Sequence, residues 1–245
     1  MTNMDGVLAV DKPSGMTSHD VVAAVRRGIG GVKVGHTGTL DPMATGLLFL
    51  CIGRATKSAK LLEAHVKEYE VEVHLGVSTT TGDAEGEILE RCEVPFPETE
   101  HVIRVCQGFT GEVEQIPPMF SAVKVEGQRL YRLARRGLIV ERPLRKVTIS
   151  TIEVLDYTPP FLRLRIVCSK GTYIRTLVED LAAALGLGAY VRALRRSKIG
   201  RFLVEQALPL DLVLRMASER RIVEHLLTVD ELQDTGDEEQ EHPWR

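Results

Sequence analysis

The stretch KEYEVEVHLGV, residues 67–77, alternates without interruption. Tyr69, Val71, Val73 and Leu75 fall on one side; Glu68, Glu70, Glu72 and His74 fall on the other. A period of two is the side-chain period of a β-strand. An apolar face backed by a charged one belongs in a sheet that is covered on one side, the usual state of an antiparallel sheet. Residues 146–171, KVTISTIEVLDYTPPFLRLRIVCSKG, read as two more strands turned at Pro159-Pro160. GVLAVDKP (6–13) is a strand stopped by Pro13, LLFLCIG (47–53) a fully buried strand, and AYVRALRRSKIGRF (189–202) an extended basic segment.

Helices lie between these strands. TSHDVVAAVRRGIGG (17–31) offers Thr17 and Ser18 as caps, Val21, Val22, Val25 and Ile29 at helical spacing, and glycines at its end. ATKSAKLLEAH (55–65), TEHVIRVCQGF (99–109) and TYIRTLVEDLAAALGLG (172–188) read as further helices, and LPLDLVLRMASERRIVEHLLTV (208–229) as two short ones. No regular βαβ rhythm joins these elements. The expected class is therefore α+β, with a mixed, largely antiparallel central sheet and flanking helices.

Composition narrows the field. The 245 residues are 44% hydrophobic but only 5% aromatic, so aliphatic side chains must fill the core. No run has the length of a membrane span, and the first residues lack the pattern of a secretory signal. Cys51, Cys92, Cys106 and Cys168 form no C-x-x-C pair and read as reduced thiols. The expectation is a cytoplasmic protein with no membrane association.

The net charge of −3 conceals an asymmetry. Residues 228–245 carry seven acids and one arginine, and residues 230–245 are expected to be an acidic, disordered tail. Residues 117–146, PPMFSAVKVEGQRLYRLARRGLIVERPLRK, carry eight Lys or Arg against Glu126 and Glu141. Such a segment is either a solvated charged helix face or a footprint for phosphate backbones.

GHTGTLDPMATG (35–46) packs glycines and threonines around one carboxylate, Asp41, followed at once by Pro42. It is too glycine-rich for a helix interior and too polar for a buried strand. Several site motifs fail here. Gly30 and Gly35 have P-loop spacing, but His36 stands where the lysine belongs. GIGGVK ends in Lys33 where a dinucleotide fingerprint needs its third glycine. TGTLD resembles a phospho-aspartate motif in which Gly35 has replaced the nucleophile. The histidines make no H-E-x-x-H, and GDAEGE (82–87) lacks EF-hand spacing, so no metal is expected. On its own, Asp41 is either a turn former or a reactive aspartate in a rigid cradle.

VDKPSGMTSHD, GHTGTLDPMATG, KEYEVEV, PPMFSAVKVEGQRLYRLARRG and SKGTYIRTLVEDL occur in this order. Together they resemble the TruB family, bacterial synthases that convert uridine 55 of the tRNA TΨC arm to pseudouridine. The resemblance runs from about residue 5 to about residue 205. It implies the pseudouridine synthase fold, a catalytic domain over 1–205, and a mobile RNA-binding thumb at 117–146. It implies a tRNA partner and no cofactor; the chain is expected to act as a monomer. Residues 206–229 then form a short helical segment, with too little chain after the motifs for the full C-terminal PUA domain of longer members.

The resemblance also assigns residues. Asp41 is the nucleophile, and Arg175 favours and aims its charged form. Tyr69 stacks on the uracil and assists removal of the C5 proton. His36 packs near the extruded base; Tyr173 and Leu194 line the base pocket; Lys12, Lys57 and Asp83 lie in matching motifs. An alternative is a catalytically silent tRNA-binding or chaperone module of the same fold. A phosphatase using TGTLD is a third reading, and it lacks its nucleophile.

Overall fold

The computed structural model describes residues 4–125, 127–219 and 221–233. In chain order, β1 (Gly6–Lys12) leads through α1 (Ser18–Gly28) to β2 (Val34–His36) and β3 (Thr45–Ile52). A 3₁₀ segment, Gly53–Ser58, runs into α2 (Ala59–Leu62), followed by β4 (Lys67–Leu75), β5 (Val77–Thr79), β6 (Ile88–Arg91), α3 (Thr99–Gly108) and β7 (Gly111–Gln115). The basic segment holds β8 (Lys124–Val125), β9 (Gln128–Arg129) and α4 (Leu130–Ala134). Then come β10 (Arg145–Thr158), β11 (Phe161–Cys168), α5 (Ile174–Ala184), β12 (Ala189–Ile199), β13 (Phe202–Leu203), β14 (Leu208–Pro209), α6 (Leu210–Ser218) and, after a 3₁₀ turn at Ile222–His225, α7 (Val229–Gln233).

One sheet runs in the order β14-β1-β3-β12-β4-β11-β10-β7, with β2 added on β3 and β13 on β12. Only β1–β14 and β3–β12 pair in parallel within it. The architecture is thus α+β with a mixed, largely antiparallel sheet, as the alternation of β4 required. Tyr69, Val71, Val73 and Leu75 are all buried, and their neighbours Glu68, Glu70, Glu72 and His74 are half-buried.

β3 is apolar throughout because both its faces are covered. Leu48, Leu50 and Ile52 join the main core with α1, α5 and the inward face of β4. Leu47, Phe49 and Cys51 join a second cluster with Val7, Leu62, Ile199 and Leu232. Such double coverage removes the period-two signal and leaves a continuous hydrophobic run. α1 starts at a capping box, in which Thr17 Oγ1 accepts from Asp20 N–H and Asp20 Oδ2 accepts from Thr17 N–H.

Two expectations need correction. Residues 55–65 do not form one helix: the 3₁₀ segment ends in a single α turn. Thr56 Oγ1 donates to the Gly53 carbonyl at 2.8 Å, and a hydroxyl bonded to backbone competes with regular helix. The expected tail begins inside α7, where Leu232 is buried, so 230–233 are helical; 234–245 lie outside the described residues. Among the described residues, no helix is long and apolar enough to cross a membrane.

Candidate active site

The loop between β2 and β3 carries Asp41 and is clamped by the turn between β1 and α1. Ser18, the second cap candidate, instead accepts from Leu40 N–H at 2.8 Å and donates to the Leu40 carbonyl at 3.2 Å. Lys12 is fully buried, and its ammonium donates to the carbonyls of Pro13, Met16 and Pro42. Burial lowers the Lys12 pKa to about 8, with Asp41 the first of the groups opposing the shift. Ser14 Oγ donates to Met43 O, and Gly15 N–H to Pro42 O. VDKPSGMTSHD is therefore a brace that fixes Pro42 and Met43, directly after Asp41.

At its far end the loop enters β3 through Gly46, which has φ +102°. A side chain there would drive into the Arg196 backbone, so the position requires glycine. Gly46 pairs with Arg196 on β12, and Arg196 pairs in turn with Tyr69 on β4. Three adjacent strands thus hold the loop over the middle of the sheet.

Arg175, in the first turn of α5, meets Asp41 with a two-point grip. Nε lies 2.9 Å from Oδ2, and Nη2 lies 3.2 Å from Oδ1. The guanidinium is itself held: Nη1 donates to Thr81 O and Nη2 to Phe120 O, each at 2.8 Å, and buried Asp83 approaches Nη1 at 3.6 Å. Asp83 is further fixed, accepting from Thr81 Oγ1 and Glu85 N–H. GDAEGE is accordingly a turn that supports Arg175.

The Asp41 side chain keeps 31% of its surface open, against 4% for Arg175. Burial pushes the Asp41 carboxyl above the ordinary carboxylate value, and Arg175 draws it back. The guanidinium therefore acts against a desolvation cost that the loop imposes.

These groups line a cleft of about 290 Å³, near the lower end for small-molecule sites. Of the residues singled out from sequence, Asp41, Tyr69, Tyr173, Arg175 and Leu194 line it together. The other four stand apart from it. His36 sits on β2 behind the loop, its Nδ1 accepting from Gly38 N–H, and burial lowers its pKa. Lys12 and Asp83 are buried braces, and Lys57 is exposed on the 3₁₀ segment.

The cleft also holds groups that sequence reasoning missed. Arg196 is buried, with Nε donating to Leu47 O at 2.7 Å and Nη2 to Gly38 O at 3.3 Å. Lys67 is buried, donates to the carbonyls of Glu63 and His65, and has its pKa lowered by burial to about 8. Both were legible: Lys67 extends the inward series of β4 by one step, and Arg196 is two residues from Leu194 on one strand face. Lys67, Arg145, Lys170, Arg175 and Arg196 oppose only Asp41 and Glu63 in the lining, so the cleft is electropositive. Gln115 fixes Tyr173, bonding both its N–H and its carbonyl.

The basic segment lies against this cleft. Val123, Leu130 and Leu133 form a small core on which Tyr173 packs. Arg129, Arg132, Arg135 and Arg136 are exposed, and two of them flank the Tyr131 ring at 6.0 and 5.7 Å. This is a packed subunit with a cationic outer face, whereas an isolated amphipathic helix would have no core of its own.

Comparison with known proteins resolves the family. Residues 26–174 match the TruB family pseudouridylate synthase (N terminal domain), and residues 175–237 match the tRNA pseudouridylate synthase B C-terminal domain. The chain belongs to the TruB family. It is accordingly an RNA-modifying isomerase. It is 48% identical over 217 residues to tRNA pseudouridine synthase B of Pseudomonas paraeruginosa, covering 89% of this chain and 71% of the relative. To the protein of that name in Dechloromonas aromatica it is 50% identical, covering 94% and 76%.

Among solved structures, a chain of a Cbf5-Nop10-Gar1 complex superimposes with a TM-score of 0.70 at 30% identity. The match covers 94% of this TruB-family chain but 61% of the chain in that complex. The sheet described above is therefore the pseudouridine synthase fold. The boundary between the two family segments falls between Ile174 and Arg175, so the Asp41–Arg175 contact joins one segment to the other.

Proposed function

We propose that this TruB-family chain isomerises uridine 55 in the TΨC arm of tRNA, with Asp41 as nucleophile and no cofactor. The observation that carries the reading is a single carboxylate, gripped by a buried guanidinium and open to an electropositive cleft. A stacked uridine must first leave its helix, at a cost of about a few kcal/mol. The Asp41 carboxylate then attacks the ribose and the N1–C1′ bond breaks. The uracil turns, C5 bonds to C1′ and the carboxylate departs. The C5 proton is lost and N1 gains one, so the sum is an isomerisation.

Tyr69 stacks on the uracil and assists loss of the C5 proton; Tyr173 and Leu194 wall the base. His36 packs behind the loop toward the space the base vacates. Lys12 and Asp83 act on the reaction only by fixing the loop and the guanidinium, and Lys57 meets RNA phosphate. The thumb at 117–146 closes on the arm through its exposed arginines, giving the salt-sensitive part of affinity. The protein acts as a monomer in the cytoplasm.

The test is to incubate the protein with unmodified tRNA transcript and to map pseudouridine by adduct-dependent primer-extension stops. One stop, at position 55 of the tRNA, is expected. Tight tRNA binding with no stop anywhere would instead support the silent binding module.

A further inference from the structure

We propose that Ser121 sets substrate specificity: its hydroxyl hydrogen-bonds the polar edge of the extruded uracil. The inference rests on the pseudouridine synthase reading above. Ser121 is 6% exposed, and its Oγ has no protein hydrogen-bond partner. Burying a hydroxyl without a partner opposes folding, so the group calls for a use outside the free protein. Among the described residues, Thr37 Oγ1 and His65 Nδ1 share this condition, but only Ser121 lines the cleft.

The hydroxyl is held in place. Phe120, immediately before it, gives its carbonyl to Arg175, and the Ser121 carbonyl accepts from Tyr131 N–H at 3.1 Å. The same short segment thus positions the guanidinium beside Asp41 and the hydroxyl beside Tyr173. The Tyr173 phenol is close enough for Ser121 to lower its pKa against the rise that burial causes, yet the pair does not reach the geometry of a hydrogen bond. Tyr173 and Leu194 supply aromatic and aliphatic wall, which cannot distinguish uracil from another flat ring. A hydroxyl both donates and accepts, so it can meet a uracil carbonyl or the imide N–H. A partner on the thumb side also ties recognition of the base to seating of the thumb.

Two variants test this on a tRNA transcript: Ser121→Ala, and Ser121→Cys, which keeps the bulk with a poor hydrogen-bonding group. Both should lower kcat/KM for pseudouridine formation by about three- to tenfold, the loss of one neutral hydrogen bond. Both should leave Tm unchanged or raised, because no folded-state partner is lost. An unchanged kcat/KM in either variant overturns the inference, and so does a loss of activity accompanied by a lower Tm. If the wild type forms no pseudouridine, the functional reading itself has failed. If the wild type is active and Ser121→Ala equals it, only this inference has failed.

Discussion

Arg175 and Asp41 lie 134 residues apart in the chain, yet Nε of one sits 2.9 Å from Oδ2 of the other, with Nη2 and Oδ1 at 3.2 Å. Two parallel contacts fix the plane of the carboxylate as well as its distance. An ammonium cannot reproduce that fork. Arg175→Lys should therefore keep the charge but release the aim, lowering kcat by about 100-fold or more. Single-turnover rates on tRNA transcript, with circular dichroism as a control for folding, check this. A loss below about threefold would show that orientation is unimportant.

The pH profile follows from the same pair. The proposed reaction requires an ionised Asp41, and burial raises its pKa above the usual 3.8 while Arg175 lowers it. Activity is thus present above the Asp41 pKa and lost as pH falls through it, at a pH higher than a free carboxyl would give. Removing the opposing charge in Arg175→Gln should move the acid limb higher still. The rate of pseudouridine formation against pH, fitted for both proteins, reads the sign directly. A downward shift in the variant contradicts the electrostatic account.

Tyr69 is buried and opposite Arg196. Tyr69→Phe keeps the ring in its place and removes only the hydroxyl, so RNA affinity should stay within about twofold while kcat falls by about 10²-fold. Filter binding beside single-turnover kinetics separates the two. Tyr69→Ala is a different experiment, because it deletes a core ring and should cost about 3–5 kcal/mol of stability.

The exposed arginines of residues 117–146 carry a further prediction. Changing Arg132, Arg135 and Arg136 together to Gln should flatten the dependence of log K on log salt, by about 0.7–0.9 for each phosphate that is no longer neutralised. The catalytic rate at saturating RNA should change little. Fluorescence titrations at several salt concentrations measure the slope, and an unchanged slope means these side chains do not meet phosphate.

The loop brace is testable without RNA. Gly46→Ala places a side chain at φ +102° against the Arg196 backbone. The cost should be about 3 kcal/mol or more, because strain and overlap add. Urea denaturation measures it, and a value under about 1 kcal/mol would show that the loop gives way easily.

The alternation of residues 67–77 specified one face of β4, and hence an antiparallel-rich sheet, because period-two patterning is local. The Thr17 cap of α1 was equally local, whereas Ser18 bonds Leu40 across the fold. The contact between Asp41 and Arg175 was not local: nothing in spacing links the two, and only the resemblance to a family set them side by side. Arg196 and Lys67 were legible in the same local way as β4, since strand alternation carries both inward, but nothing in the spacing shows the backbone carbonyls that satisfy them there. Ser121 gave no sequence signal, since a serine in a turn is unremarkable until the fold buries its hydroxyl. Residues 55–65 misled because a helical apolar spacing outweighed the hydroxyls that tighten the turn.

The most direct test of the account is pseudouridine formation by Asp41→Asn on tRNA transcript, with chelator present, read by adduct-dependent primer extension. The account requires the wild type to give a stop at uridine 55 and the variant to bind the same RNA with no stop above background. A variant that still forms pseudouridine at about the wild-type rate would contradict it, because the chemistry would then need no carboxylate at position 41.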